Sequence, residues 1–336
     1  MVDRIIAANH QKMQNIPAIC LKINFHYKLP DKVKVFTGKG KSFLPFKCGV
    51  TIQNKDALTI FWKFLPCSET IEAIKPDLLR LKEGQSHIQD KPSKVSWVDN
   101  CCNVWLKLQE MFPGIMVELD SFHWFMRWDN MLLEKTSEEA NFFRHLMRRA
   151  LFVIEDTEHA RLRYMKPGIS SHEIHKCTKA TMPPPEILSR RVRCALHFMH
   201  MCDYETDTQT TNDTEANAEA PKRKQYLKHF DSYAKKGARR VKVRQLINNQ
   251  LEHVGLGYLS DPSSDVVKIH GVNPCTGKVQ SARGTGGCEN DHRWLNVLLD
   301  MPPVGIAHSE RVLDDFYEMP NDRKMVNQLG AQEQPT

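Results

Sequence analysis

Between residues 17 and 66 the chain carries three strand-like runs with no helix between them, and this constrains the fold more than any other feature. In "PAICLKINFHYK", Ile19, Leu21 and Ile23 alternate with other residues, the period of a half-buried strand, which is expected to end near Asn24. "FKCGVTIQ" and "ALTIFWKFL" follow after the Lys/Gly loop "GKGKS", with the turn-like "NKD" between them. The three runs read as a three-strand meander.

The pattern then changes. "SETIEAIKPDLLRLKEG" predicts a helix with Ser68 as N-cap and Gly84 as its end, kinked or split by Pro76. "KVSWVD" is a fourth strand. "CCNVWLKLQEMF" repeats apolar residues at helical spacing and stops at Pro113-Gly114, and "IMVELDSFHWF" reads as a fifth strand. The order β-β-β-α-β-α-β predicts an α/β mixed sheet, an antiparallel meander plus parallel strands, flanked by helices. That is the order of the ribonuclease H-like fold. Residues 1–129 are read as this core, 130–280 as a basic helical insertion, 281–320 as the closing helices and 321–336 as a flexible tail. Within the insertion, 203–221 has six acidic residues and no basic ones, the composition of a disordered linker.

In a sheet of this order, acids ending the first and fourth strands lie side by side, and a later helix brings a third. Such a set can hold two Mg²⁺ ions ~4 Å apart for in-line phosphodiester displacement. The corresponding positions here are Asn24, Asp99 and Glu289, the last just after the glycine-rich "RGTGG". Asp99 also suits a helix N-cap, and Glu289 a solvated first-turn acid favoured by the helix dipole. Asp120 and His123 in "LDSFHWF" are rivals for metal contact or support behind the ligands, Asp120 as a substitute second acid, with a hydrogen-bonded core histidine as the bland alternative for His123.

"CLKINFHYK", "WVDNCCNVWLKLQEMFPGIMVELDSFHWFMR", "HVGLGYLSDP" and "RGTGGCENDHRW" together resemble the blocks of the DDE-type transposases of eukaryotic cut-and-paste DNA elements, over roughly residues 16–317. The resemblance implies Asp99 and Glu289 as ligands of Mg²⁺ or Mn²⁺ in DNA strand cleavage and transfer. The first-block acid of that family is Asn24 here. A neutral amide stands where a bridging carboxylate would, so the expectation is a degenerate or host-adopted copy with impaired catalysis. No DNA-reading module is visible before residue 16, which accords with a relic. The rival expectation is a non-enzymatic nuclear protein that binds DNA or another protein.

A formal net charge of +7 permits nucleic-acid binding without requiring it. The positive charge is concentrated after the acidic linker, in "KRKQYLKHFDSYAKKGARRVKVR". There Lys222, Arg223, Lys224, Lys235, Lys236, Arg239, Arg240, Lys242 and Arg244 are candidates for phosphate contact, for a nuclear-import signal, or for a merely solvated helix face. Double-stranded DNA is the expected partner, with self-association left open and a nuclear location expected. No apolar run approaches the ~20 residues of a membrane helix. Ten cysteines at irregular spacings, with no CxxC, give no expectation of structural zinc. Two groups still invite a metal reading, His172, His175 and Cys177, and His197, His200 and Cys202. Cys101 and Cys102 suggest either reactive thiols or packing behind the strand.

Overall fold

The computed structural model describes residues 11–37, 40–88, 92–130, 132, 135–136, 138–154, 156–170, 178–197, 237–263, 266–267, 269–272, 279–298, 306, 309–313, 315–317 and 321. The chain divides into two compact units, the first made of Met1–Asp120, Pro262–Thr276 and Gln280–Thr336, the second of Ser121–Asp261 and Gly277–Val279.

The first unit is an α/β layer structure around a five-stranded mixed sheet. Its strands are β1 (Cys20–His26), β2 (Cys48–Gln53), β3 (Thr59–Leu65), β4 (Val95–Val98) and β5 (Met116–Leu119), in the order β3-β2-β1-β4-β5. β1 pairs antiparallel with β2, and β2 with β3, while β1 pairs parallel with β4 and β4 with β5. Every residue of β2 and of β4 is buried, so the sheet is covered on both faces. The helices of this unit are α1 (Ile71–Ile88), α2 (Cys101–Met111) and, late in the chain, α8 (Gly286–Leu298).

β1 runs two residues past Asn24, to His26, because Phe25 and His26 still find partners in Val50 and Gly49 of β2. α1 passes through Pro76 unbroken. A proline this close to the start of a helix removes one hydrogen bond near a terminus already short of partners. The cap is Thr70 rather than Ser68: its Oγ1 accepts from the Ala73 N–H at 3.2 Å. The helix also continues past Gly84 to Ile88, since Gln85 is buried and accepts from the Ala18 N–H at 2.8 Å while donating to the Ile16 carbonyl at 2.7 Å.

The larger departure is at "DSFHWF". β5 ends at Leu119, and Ser121–Asp129 is the helix α3, which opens the second unit. Trp124 and Trp128, four residues apart and fully buried, are the helical period that overrode the strand reading. His123 therefore stands on a helix, not on the fifth strand. The second unit also contains α4 (Glu138–Leu151), α5 (Asp156–Met165), α6 (residues 185–197) and α7 (Gly237–Gly255). No described helix is long and apolar enough to cross a membrane.

α8 packs on one face of β1 and β2. Leu295 on this helix joins Trp62, Phe64, Leu29, Val33, Leu313 and Tyr317 in one apolar cluster. On β1 the residues of the α8 face are not the apolar ones. Ile23 and Leu21 point to the opposite face, so α8 covers Lys22 and Asn24, which are 3% and 0% exposed.

Candidate functional site

Sheet register brings three residues into one row. Ile23 of β1 lies opposite Val98 of β4, and Val98 opposite Leu119 of β5. The next residue along each strand direction is Asn24, Asp99 and Asp120 respectively, so these three stand abreast where the parallel strands end. The Asp120 N–H donates to the Val98 carbonyl at 3.0 Å, and a carboxylate oxygen of Asp99 lies within 4.8 Å of one of Asp120.

α8 supplies the fourth member. Glu289 is in its first turn, and its Oε1 accepts a hydrogen bond from the Asn24 Nδ2 at 2.7 Å. The loop before α8 is fixed by the same row: Thr285 Oγ1 donates to Asp120 Oδ2 at 2.9 Å, and the Thr285 carbonyl accepts from the Glu289 N–H at 3.1 Å. Asp120 thus holds the loop that presents Glu289 to Asn24. Gly284 is required here for two reasons. Its φ is +73°, and a Cβ would stand 2.3 Å from Asp120 Oδ1.

Further along α8, Asp291 Oδ2 accepts from Gln53 Nε2 at 2.6 Å, and His292 Nε2 lies 3.0 Å from Thr51 Oγ1. Thr51 is also 3.0 Å from the Tyr317 hydroxyl. Thr51 faces Asn24 across the β1/β2 pair, so the row of buried polar residues extends into the meander. His26 packs against His292 with tilted rings whose centroids are 4.0 Å apart, and fits because Gly49 opposite it has no side chain; a Cβ there would be 2.2 Å from the imidazole.

Burial governs the ionisation of this helix–sheet contact. The His292 imidazole is pushed down to about 3 by loss of solvent, and His26 is lowered well below its usual range by burial and then by His292. Burial raises the Cys288 thiol, opposed by the positive charge of Lys22 and reinforced by the negative charges of Asp291, Asp99 and Glu289. Cys288 is therefore a neutral thiol under the acidic cluster.

The donor set decides what the site can hold. An ionised carboxylate only accepts hydrogen bonds, so the amide must turn its NH₂ toward Glu289, leaving Asn24 Oδ1 buried with no hydrogen-bond partner. One oxygen of Glu289 is thereby engaged by the amide N–H, and Asn24 itself adds no negative charge to the acidic set. The residues as arranged do not fit a two-cation centre.

Of the residues singled out in the sequence, Asn24, Asp99, Glu289 and Asp120 are all in the first unit, while His123 is in the second. The N-cap position of α2 is Asn100, one residue beyond Asp99, and it makes no side-chain cap bond. Cys101 is buried and Cys102 exposed, neither in a disulfide, with sulfurs 3.9 Å apart. Arg239, Arg240, Lys242 and Arg244 are on the backbone of α7, but their side chains, and all of Lys222, Arg223, Lys224, Lys235 and Lys236, lie outside the described residues. So do the linker 203–221, His172, His175, Cys177, His200 and Cys202, while His197 is at the end of α6.

Gln53, Thr51, Asp291, His292 and Tyr317 were not anticipated. A signal existed: Lys22, Asn24 and His26 on β1, and Thr51 and Gln53 on β2, recur at a period of two on strands whose other face is apolar. Comparison with protein-family models, with curated proteins and with solved structures finds no match.

Proposed function

We propose that this chain is a transposase-derived protein with a ribonuclease H-like core that binds double-stranded DNA in the nucleus, and whose strand-cleaving chemistry is impaired at Asn24. The observation that carries this reading is the Asn24–Glu289 hydrogen bond of 2.7 Å, made beside Asp99 at the strand ends. The sheet order β3-β2-β1-β4-β5 and the acid-bearing helix α8 support the core assignment. In an intact site of this kind, Mg²⁺ or Mn²⁺ supplies Lewis-acid activation of the attacking and leaving oxygens. Asp99 and Glu289 would be the cation ligands of such a site, and the amide at position 24 leaves the set one negative charge short.

Binding without cleavage follows from that deficit. Basic residues of 222–244 are the proposed phosphate contacts, and affinity for duplex DNA should fall steeply with salt. The test is a duplex-binding titration across salt concentrations, alongside plasmid incubation with Mg²⁺ or Mn²⁺. Salt-dependent binding with intact plasmid is expected. Cation-dependent nicking by the unmodified chain that is lost in Glu289→Gln would overturn the impairment.

A further inference from the structure

Between β1 and β2 the chain makes an excursion that the site at Asn24 does not use. Residues 27–47 contain six lysines and one acid, Asp31. Within them Val35–Phe36 and Ser42–Phe43 form a two-strand ribbon, with Val35 opposite Phe43 and Phe36 opposite Ser42. Neighbouring residues on a strand face opposite ways, so Phe36 and Phe43 project from opposite faces of the ribbon. Both are exposed, at 60% and 53%, and Leu44 beside them at 47%. Among the described residues both rings keep more than half of their surface open, while Val35, on the face of Phe43, is half-buried. The ribbon's base is anchored, however: Leu29 and Val33 are buried in the α8 cluster, and Lys32 Nζ donates to the Asn296 carbonyl at 2.6 Å.

The remaining described lysines, Lys28, Lys41 and Lys47, are exposed, and Lys34 is partly so. Cations on a narrow ribbon that carries an unburied aromatic ring on each face match an alternation of phosphate and base. Flat rings stack on unpaired bases whatever their sequence, and lysines follow the backbone. The excursion leaves β1 two residues after Asn24, from the strand end that also carries Asp99.

We infer that the ribbon formed by Val35–Phe36 and Ser42–Phe43 is a single-strand DNA contact, with Phe36 and Phe43 stacking on unpaired bases and Lys28, Lys34, Lys41 and Lys47 contacting phosphates. The inference rests on the nucleic-acid part of the proposed function and is independent of whether cleavage survives at Asn24.

The test is fluorescence anisotropy of labelled oligodeoxythymidine with the full chain, set beside sedimentation of the same samples. Phe36→Ala with Phe43→Ala should weaken binding about tenfold or more without changing the salt slope or the melting temperature. Replacing Lys34, Lys41 and Lys47 by Gln should flatten the slope of log affinity against log salt by about 2. If the unmodified chain binds and these variants bind equally well, the inference fails while DNA binding stands. If the Phe variants alter only self-association, a second copy covers the ribbon and the inference is overturned. If the unmodified chain binds neither single strands nor duplex, both readings fail together.

Discussion

Asn24 and Glu289, 265 residues apart in the chain, are joined by a hydrogen bond of 2.7 Å between amide nitrogen and carboxylate oxygen. The bond closes α8 onto β1 at the strand end shared with Asp99 and Asp120. A neutral donor facing a carboxylate needs no cation to be stable. Two carboxylates in the same place would.

Asn24→Asp should therefore destabilise the metal-free protein, by about 1–3 kcal/mol, since it removes a buried donor and sets a second negative charge against Glu289. Mn²⁺ should then raise the melting temperature of the variant well above its effect on the unmodified chain. Thermal melts with and without the ion check this. Equal melting temperatures for the two proteins without metal would mean that the amide–carboxylate bond contributes nothing.

The loop before α8 makes a separate prediction. Thr285→Val keeps the shape but removes the hydroxyl that donates to Asp120 Oδ2 at 2.9 Å in a buried setting. A loss of about 1–3 kcal/mol in denaturant unfolding is expected, with Thr285→Ser close to the unmodified protein.

Gly284→Ala should cost more than an ordinary Gly→Ala change. The φ of +73° disfavours any Cβ, and the added atom would meet Asp120 Oδ1 at 2.3 Å. Combining it with Asp120→Ala relieves the contact but not the backbone conformation. The double variant is thus expected to recover less than the full loss, measured by a double-mutant cycle.

Acid should loosen the same helix. His292 is neutral when folded, with a pKa lowered by burial to about 3, whereas the unfolded chain takes up a proton near the ordinary value of 6.5. The unfolded state binds more protons between those limits, so stability is fully present above about 6.5 and is lost as pH falls toward 3. Denaturation midpoints between pH 7 and pH 4 should decline, and His292→Gln should flatten that decline. A slope unchanged in the variant would move the effect to other groups.

Much of the sheet was legible in the sequence because β1, β2, β3 and β4 are short apolar runs separated by clear turn signals. The placement of Asn24 beside Asp99 follows from strand order alone, without any knowledge of side chains. "DSFHWF" misled because apolar residues at a spacing of one to four fit either a strand or a helix over so few positions. Trp124 and Trp128 decide it by burying the same face of α3. The Asp120–Thr285 bond links residues 165 apart, and no local pattern announces such a contact. Its trace was the glycine at position 284, whose need for space is visible only once Asp120 is in place.

The central claim is that an amide at position 24 occupies the place of a cation-bridging carboxylate. The most direct measurement is relaxation of supercoiled plasmid by Asn24→Asp, with Mg²⁺ or Mn²⁺, against the unmodified chain and against Asn24→Asp combined with Glu289→Gln. Nicking that rises by orders of magnitude in the single variant, and disappears in the combined one or on chelation, is the predicted result. A folded Asn24→Asp protein that neither binds Mn²⁺ nor nicks DNA would contradict the account.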